Sequence, residues 1–170
     1  LLTAKPVMYV CNVSEDEAAA GNSFSHQVED FAQSNGASAV TISAAIESEI
    51  AQLPSSEERT EFLNSLGLER TGLARVVSAG YQLLGLITYL TAGPSESRAW
   101  TIPKGTKAPK AAGIIHSDFE RGFICAETIS FDEYIHHNGE QGAREAGKIR
   151  QEGREYIVRD GDVITFRFNV

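Results

Sequence analysis

The sequence has 170 residues, of which 42% are hydrophobic and 22% charged, and its formal net charge at pH 7 is −8. This apolar content supports a packed core, so the composition excludes an intrinsically disordered chain. The longest apolar stretch, Tyr81–Leu90, is far shorter than the ~20 residues of a membrane-spanning helix. That short stretch predicts no membrane partner. Cys11 and Cys125 match no metal-ligand spacing, which predicts a reduced, cytoplasmic chain with no metal site.

Charge is divided unevenly along the sequence. Residues 1–85 carry a net charge of −7, whereas residues 86–170 carry −1, because most of the lysines and arginines lie in the second half. Two differently charged halves indicate two modules with different partners, and we place the boundary between residues 84 and 85. A chance division of solvated surfaces is the alternative.

The first half predicts alternating strands and helices. Val7–Cys11 is a continuous apolar run, typical of a strand that is buried on both faces, and Ala39–Ile42 is a second short strand. Apolar residues at helical spacing predict one helix between the strands, with Phe24, Val28, Phe31 and Ala32 on its apolar face. They predict three more helices after the second strand. The apolar residues are Ile46, Ile50 and Leu53 in the first of these, Phe62, Leu63 and Leu66 in the second, and Leu73, Val76, Val77, Tyr81 and Leu84 in the third. Because two parallel strands are too few to complete a sheet, we expect the end of a larger α/β domain.

The second half predicts a small α+β module. Strands are expected at Leu86–Thr91, Arg98–Ile102, Phe123–Ser130, Tyr156–Val158 and Val163–Phe168, and short helices at Ala108–Ile115 and after Ser130. A turn through Gly93-Pro94 joins the first two strands. Asp160-Gly161-Asp162 predicts a tight turn between the last two. The module therefore has four or five strands around one or two helices.

A polar tetrapeptide, Asn12-Val13-Ser14-Glu15, directly follows the first strand. Ligands of open α/β sheets bind beyond the carboxyl ends of the strands. The tetrapeptide resembles Asn-Lys-x-Asp, the base-reading motif of P-loop GTPases, in which the aspartate accepts protons from guanine. Glu15 and Val13 replace the Asp and Lys, which removes the basis for preferring guanine. The 6-amino group of adenine then has an acceptor in the Asn12 carbonyl oxygen or in a main-chain carbonyl such as that of Val13. The alternative is an ordinary turn after a strand.

A second motif, Ser43-Ala44-Ala45, follows the second strand. It resembles the Ser-Ala-x motif that closes over the base in the same NTPases, where small residues let the backbone approach the purine and main-chain N–H groups supply hydrogen bonds. The alternative for Ser43 is a plain helix N-cap. Two such motifs in the right order, each at a strand end, favour nucleotide binding.

The phosphate-binding loop that should accompany these motifs, G-x-x-x-x-G-K-[ST], is missing. Gly142–Ile149 has the spacing, but an isoleucine replaces the hydroxyl residue and no buried strand precedes it. Catalytic residues are not expected either, since His116, Ser117 and Asp118 are neighbours in sequence and His136-His137 lacks an i, i+4 partner for a metal. The sequence therefore predicts a chain that binds the base of a nucleotide but not its phosphates.

Basic residues of the second half form two groups. They are Lys104, Lys107 and Lys110 around a Pro-Gly turn, and Lys148, Arg150, Arg154 and Arg159 around Gly153. With aromatic residues nearby, these groups predict a surface for contact with RNA or the ribosome. Because acidic residues are interleaved with them, an ordinary solvated face is the alternative.

With both halves in view, the chain resembles the C-terminal half of the YchF/Obg-like ATPase family over essentially its whole length. The resemblance is carried by Lys5-Pro6, Asn12-Val13-Ser14-Glu15, Ser43-Ala44-Ala45, Thr91-Ala92-Gly93, Arg98–Ile102, Ala111–Ile124 and Tyr156–Asp162. It implies that residues 1–84 are the C-terminal portion of an α/β P-loop NTPase G domain. It implies that residues 85–170 are a TGS domain, an α+β ubiquitin-like β-grasp module.

The same resemblance implies a function. Proteins of this family are cytoplasmic, associate with ribosomes and hydrolyse ATP with Mg²⁺, often in preference to GTP. When the roles of the family's motif residues are assigned to the matching positions here, Asn12 reads the purine edge and Val13 contributes a main-chain contact to adenine. Ser43, Ala44 and Ala45 then line the base. Glu15 stands where a guanine-reading aspartate would be.

Several parts of the family pattern are missing from the sequence, including the phosphate loop, the switch regions and the Mg²⁺ ligands. We therefore expect the 170-residue chain to be inactive by itself and to hold no cofactor, while its parent hydrolyses ATP. Contact with the large ribosomal subunit or a 70S-type particle, and with RNA, is expected, whereas sequence-specific DNA binding is not. The alternative is a non-catalytic TGS-type module that binds RNA, protein or a small regulatory ligand.

Overall fold

The structure is a computed structural model that describes residues 1, 4–93 and 96–169. These residues form two compact units, Leu1–Leu84 and Gly85–Val170. Pro94 of the expected Gly93-Pro94 turn lies outside the described residues. Within the described ranges, no helix is long and apolar enough to span a membrane.

The first unit contains a two-stranded parallel sheet and four helices. Strands β1 (Met8–Asn12) and β2 (Ser38–Ile42) pair residue by residue, so their carboxyl ends lie side by side. The helices are α1 (Ser23–Ser34), α2 (Ala44–Gln52), α3 (Ser56–Ser65) and α4 (Gly72–Leu83), and a 3-10 turn, Glu15–Glu17, follows β1. Sequence patterns predicted both strands and all four helices, with bounds that differ by a few residues.

Short polar side chains cap the N-termini of three of these helices. The Asn22 side chain accepts the N–H groups of Phe24 and Ser25 at the start of α1. Ser55 and Thr71 accept one main-chain N–H each at the starts of α3 and α4. Such caps satisfy donors that have no partner within the helix, which explains why these helices begin where they do.

Burial in the first unit differs from the prediction. Its core consists of small and aliphatic residues from the helices and loops, namely Ala18, Ile46, Ile50, Leu63 and Leu68. The apolar run Val7–Cys11 is not buried on both faces, since Val10 in β1 is 46% exposed and Val7, just before the strand, is 44% exposed. Leu73 and Val77, from the apolar stripe of α4, are 65% and 50% exposed. A sheet of two strands is too narrow to cover these side chains.

The second unit is built on a five-stranded sheet in the order β4-β3-β7-β5-β6. Its strands are β3 (Leu86–Ala92), β4 (Ser97–Pro103), β5 (Phe123–Ser130), β6 (Arg150–Glu152) and β7 (Asp162–Phe168). Strand β7 lies at the centre, parallel to β3 and antiparallel to β5. The sheet is therefore mixed, with the latest strand of the sequence between two earlier ones.

Helix α5 (Ala108–Ile115) covers the core of this sheet. Its alanines, Ala108, Ala111 and Ala112, are fully buried and let the helix approach closely. The Tyr89 hydroxyl, also fully buried, donates to the Ala111 carbonyl at 2.9 Å, and burial raises the pKa of Tyr89. Sequence patterns predicted α5 and β5 with these bounds. Helix α6 (Ser117–Arg121) was not predicted, α7 (Phe131–His136) follows Ser130 as expected, and α8 (Glu140–Glu145) comes next in the chain.

The prediction of a hairpin formed by residues 156–158 and 163–168 is wrong. Within residues 156–158 the structure has only an isolated bridge, between Ile157 and Lys107. The turn instead bonds to β3, because the Thr88 N–H donates to Asp160 Oδ1 and the Gly161 N–H donates to the Thr88 carbonyl, both at 2.8 Å. Val158 is buried all the same. Its apolar character therefore reflects core packing of a loop and not pairing in a sheet.

Candidate functional site

The two motifs that were predicted to read a base meet at the carboxyl ends of β1 and β2. Asn12 pairs with Ile42 at the last position of the parallel ladder. The Asn12 Oδ1 atom accepts the Ala44 N–H at 2.9 Å, and the Val13 N–H donates to the Ile42 carbonyl at 2.9 Å. The tetrapeptide after β1 and the tripeptide after β2 are thus joined by direct hydrogen bonds.

The bond to Ala44 also fixes which way the Asn12 amide is turned. Since a main-chain N–H only donates, the side-chain atom that faces it must be the oxygen. The Nδ2 group is then the part of the side chain left for a ligand, and Asn12 is exposed. In the described part of the chain, neither the Nδ2 hydrogens nor the Val13 carbonyl has a partner.

Ser43 does not act as the plain helix cap that was the alternative to a base-lining residue. It occupies the N-cap position of α2, yet its side chain accepts no main-chain N–H. Ser43 is 3% exposed and its Oγ has no hydrogen-bond partner among the described residues. A buried hydroxyl without a partner costs about 1–3 kcal/mol, so capping does not account for its position.

Ala44 and Ala45 form the exposed start of α2. The first N–H groups of a helix have no partner within the helix. Asn12 takes the N–H of Ala44, and nothing in the described ranges takes that of Ala45. This edge of the site therefore offers a main-chain donor beside small side chains that leave the backbone accessible.

Glu15 lies at the exposed start of the 3-10 turn. The turn is held by Glu17, whose carboxylate accepts the Ser14 hydroxyl at 2.7 Å and the Asn22 amide at 2.9 Å. These bonds, that of Ser14 first, lower the pKa of Glu17. The Glu15 side chain has no hydrogen-bond partner in the described part, so Glu17 holds the loop while the Glu15 carboxylate faces solvent. A cleft of about 390 Å³ adjoins, lined among others by Cys11, Asn12, Val13, Asn22 and Phe24.

Comparisons with known proteins agree over the whole chain. Residues 86–169 match the model of the family YchF-GTPase_C, described as "Protein of unknown function (DUF933)". The "Ribosome-binding ATPase YchF" of Escherichia coli O157:H7 is 57% identical over 169 residues, which make up 99% of this chain and 46% of that protein. The chain belongs to the YchF/Obg-like ATPase family.

Other members of the YchF/Obg-like family give the same result. "Obg-like ATPase 1" of Rattus norvegicus is 44% identical over 172 residues, covering 99% of this chain and 43% of that protein. The solved structure of the Schizosaccharomyces pombe YchF GTPase superposes with a TM-score of 0.82 at 36% identity, covering 98% of this chain and 44% of the other. The mixed α/β fold is thus shared. The chain spans about half the length of the curated relatives it matches.

In this YchF-family chain most of the basic residues predicted to contact RNA have partners within the protein. Lys107, Lys110 and Lys148 form ion pairs at 2.5, 2.5 and 3.0 Å with Glu155, Glu120 and Glu133, respectively. Arg150 pairs with Glu152 at 3.3 Å, and Arg154 donates to the Phe123 carbonyl. Of the seven residues in the two groups, only Lys104 and Arg159 have no side-chain partner within the described ranges. The interleaved acidic residues thus reduce the free positive charge of this surface.

The histidines take local roles. His116 Nδ1 accepts the Asp118 N–H at 3.2 Å and caps α6, so these near neighbours do contact each other. His137 Nε2 lies 3.1 Å from Glu133 Oε2, one turn earlier in α7, which corrects the expectation that it has no i, i+4 partner. Even so, the described residues contain no group of three His, Cys, Asp or Glu side chains that could hold a metal ion.

One contact of the site was not foreseen from the sequence. Glu47, three residues after Ala44, accepts the N–H of Gly72 at 2.6 Å and the N–H of Leu73 at 3.1 Å. A glutamate four residues after an N-cap serine suggests only a local contribution to its own helix. Its actual partners lie 25 and 26 residues away, a distance that no local pattern reveals.

Proposed function

We propose that the chain is the C-terminal part of a cytoplasmic, ribosome-associated P-loop ATPase, and that its first unit reads the adenine base of ATP. The observation that carries this proposal is the bond from the Ala44 N–H to Asn12 Oδ1, which unites the two base-reading motifs. Relatives named as ribosome-binding ATPases support it, although the chain covers 46% of the length of the E. coli relative.

Adenine and guanine present different groups to such a site. Both purines carry an acceptor at N7, for which the Asn12 Nδ2 group is a suitable donor. At position 6 adenine carries an amino donor, whereas guanine carries an oxygen. Because Ala44 already occupies Asn12 Oδ1, the Val13 carbonyl is the acceptor we assign to the adenine amino group. The same carbonyl would repel the guanine oxygen, which favours ATP over GTP.

Glu15 contributes to this preference by its length. The carboxylate of an aspartate in this place accepts two protons from guanine, whereas adenine offers no donor there. The longer, exposed Glu15 does not reproduce that geometry. Ser43, Ala44 and Ala45 line the other side of the base in this proposal. The Ala45 N–H, which has no acceptor among the described residues, is the donor on that side.

Phosphate and Mg²⁺ binding are assigned to the rest of the parent protein. The sequence contains no phosphate-binding loop, and the described residues contain no group of three His, Cys, Asp or Glu side chains that could hold a metal ion. No step of hydrolysis is therefore assigned to a side chain here. Isolated, the 170-residue chain is expected to be inactive and to bind ATP weakly.

For the second unit we assign a TGS-type β-grasp domain that contacts the ribosome or its RNA. A mixed five-stranded sheet with helix α5 packed against its core supports the β-grasp assignment. Lys104 is exposed beside the Gly105 turn and its side chain has no acidic partner in the described part, so we assign it as a basic residue that can meet a phosphate.

Hydrolysis of ATP and GTP by the full-length protein tests the base-reading proposal. We expect a preference for ATP, a loss of ATP affinity in Asn12→Ala, and no effect of Asn64→Ala, which changes an exposed asparagine on α3. Measurable ATP turnover by the 170-residue chain alone would contradict the assignment of hydrolysis to the rest of the protein. Unchanged ATP affinity in Asn12→Ala would contradict the base site.

A second function is favoured by the extent of the family match, which covers residues 86–169 and therefore the second unit only. In this alternative the chain is a non-catalytic module that binds RNA, protein or a small regulatory ligand. Co-sedimentation of the full-length protein with ribosomes separates the two. If binding depends on Lys104 but not on ATP or Asn12, the binding module is the better description.

A further inference from the structure

We infer that Glu47 is a positioning residue of the base site, because its carboxylate ties the start of α2 to the start of α4. This inference rests on the proposed base-reading function. It adds a residue that touches no part of the nucleotide but fixes the main chain that does.

The Glu47 carboxylate closes the N-terminus of α4. Oε1 accepts the Gly72 N–H at 2.6 Å and Oε2 accepts the Leu73 N–H at 3.1 Å, while the Thr71 hydroxyl accepts the Ala74 N–H at 3.0 Å. Each carboxylate oxygen thus has its own donor. A negative charge at a helix N-terminus is also favoured by the helix dipole, so the contact is directional and charge-assisted.

Glu47 belongs to the same helical turn as the residues that line the base. Its N–H donates to the Ser43 carbonyl at 3.1 Å, so a shift of its side chain moves the turn that carries Ala44 and Ala45. Ala44 in turn holds Asn12 through the bond at 2.9 Å. One end of α2 therefore connects α4 to the residue proposed to read N7.

A second path leads from α4 back to the same place. Gly72 packs so closely on Ile42 that a Cβ atom at position 72 would lie 2.9 Å from Ile42 Cγ2. The Ile42 carbonyl accepts the Val13 N–H. Helix α4 therefore contacts the motif after β2 through Glu47 and the motif after β1 through Ile42. Because Asn12 and Ala44 are also bonded to each other, these contacts form a closed ring, and we expect that neither motif moves without the other.

Binding of two ligands to the full-length protein separates positioning from simple stabilisation. ATP contains the base, whereas inorganic tripolyphosphate does not. At a temperature at which all variants are folded, we expect Glu47→Ala to weaken ATP about tenfold, as for loss of a charge-assisted contact, and to leave tripolyphosphate binding unchanged. Glu47→Gln keeps the length and one acceptor oxygen and should recover part of the ATP affinity. Glu49→Gln, an exposed change on the same helix, is the matched control.

Amide hydrogen exchange in the 170-residue chain tests the contact without any nucleotide. We expect Glu47→Ala to speed exchange at Ala44 and Val13 relative to Ile50 in the same helix. Unchanged exchange at Ala44, or an equal loss of ATP and tripolyphosphate binding, would overturn the role of Glu47 and leave the base site standing. If the wild-type protein binds ATP no more tightly than tripolyphosphate, the base site itself is overturned, and the role of Glu47 with it.

Discussion

The side-chain oxygen of Asn12 lies 2.9 Å from the main-chain nitrogen of Ala44, a residue 32 positions later in the sequence. This bond holds the ends of two parallel strands in register and also orients the Asn12 amide. Fold and proposed function therefore depend on different atoms of one side chain, and substitutions can separate them.

Replacement of Asn12 should show these two roles. Asn12→Ala removes the acceptor for the Ala44 N–H and should lower the free energy of unfolding of the first unit by about 1 kcal/mol. Asn12→Asp keeps an acceptor for that N–H but loses the donor for N7, so we expect near wild-type stability with weak ATP binding. Urea unfolding of the 170-residue chain and ATP titration of the full-length protein measure the two effects. Wild-type ATP affinity in Asn12→Asp would contradict the assignment of Nδ2.

Base preference should respond to the two residues that depart from the guanine-reading pattern. In the double variant Val13→Lys with Glu15→Asp, the shorter carboxylate can accept the guanine protons, and we expect the ratio of ATP to GTP affinity to fall. Asp16→Glu, a change of carboxylate length at the next exposed position, should leave the ratio unchanged. Competition between labelled ATP and GTP measures it, and an unaltered ratio in the double variant would mean that the base is read elsewhere.

Stability of the second unit should depend on Asp162. This carboxylate is 3% exposed, and its Oδ2 accepts the Tyr156 hydroxyl at 2.6 Å and the Arg159 N–H at 2.9 Å. Asp162→Ala leaves these donors unpaired and should lower the free energy of unfolding by about 3 kcal/mol. Tyr156→Phe removes one bond and should cost about 1 kcal/mol. Thermal unfolding measures both, with the exposed change Asp132→Ala as control; equal stabilities would refute this network.

The stabilising effect of Glu127 should vanish in acid. Its carboxylate accepts Arg167 at 3.0 Å and Arg144 at 3.1 Å, and these bonds, that of Arg167 first, lower its pKa from the ordinary value of 4.5. Because the pKa of Glu127 is lower in the folded than in the unfolded chain, its carboxylate stabilises the fold above about pH 4.5. This stabilisation is lost as the pH falls through the folded-state pKa. We expect Glu127→Gln to cost up to about 1 kcal/mol at pH 7.

Urea unfolding at pH 7 and pH 3 measures this difference. The gap between wild type and Glu127→Gln should narrow at the lower pH, whereas Glu96→Gln, at an exposed position, should show no gap at either pH. A gap of the same size at pH 3 and pH 7 would assign the effect to packing of the side chain and not to its charge.

Ribosome association should depend on salt through Lys104. A phosphate contact releases counterions, so each one adds about 0.7–0.9 to the slope of log affinity against log salt. Lys104→Gln should reduce the slope by about that amount, and Lys5→Gln in the first unit should not. Co-sedimentation of the full-length protein over a range of KCl concentrations measures the slope. Affinity that does not vary with salt would count against RNA contact by this lysine.

Local signals sufficed to predict several elements. Helix α5 is bounded by the Gly105 turn on one side and by His116, which caps the next helix, on the other. Strand β5 contains the strand formers Phe123, Ile124, Thr128 and Ile129. The order of strands and helices in the first unit followed from the apolar spacing alone, because each amphipathic element must bury one face.

Tertiary partners were not predictable in the same way. Residues 156–158 look like a strand because Val158 faces the core, yet core packing and strand pairing leave the same apolar signature in sequence. The acids that neutralise Lys107 and Lys110 lie 48 and 10 positions away, respectively, and no spacing rule identifies them. The Ser43 hydroxyl, which is buried without a partner among the described residues, and the long-range contact of Glu47 likewise depend on how the elements pack.

The central position of β7 has a consequence for the order of folding. This strand is the last of the five in the sequence, yet β3 and β5 both pair with it and β3 does not pair with β5. The two hairpin-like halves of the sheet have no shared edge until β7 is inserted between them. A growing polypeptide therefore cannot close this sheet before residues 162–168 have been synthesised, and we expect the second unit to fold only after translation has passed β7.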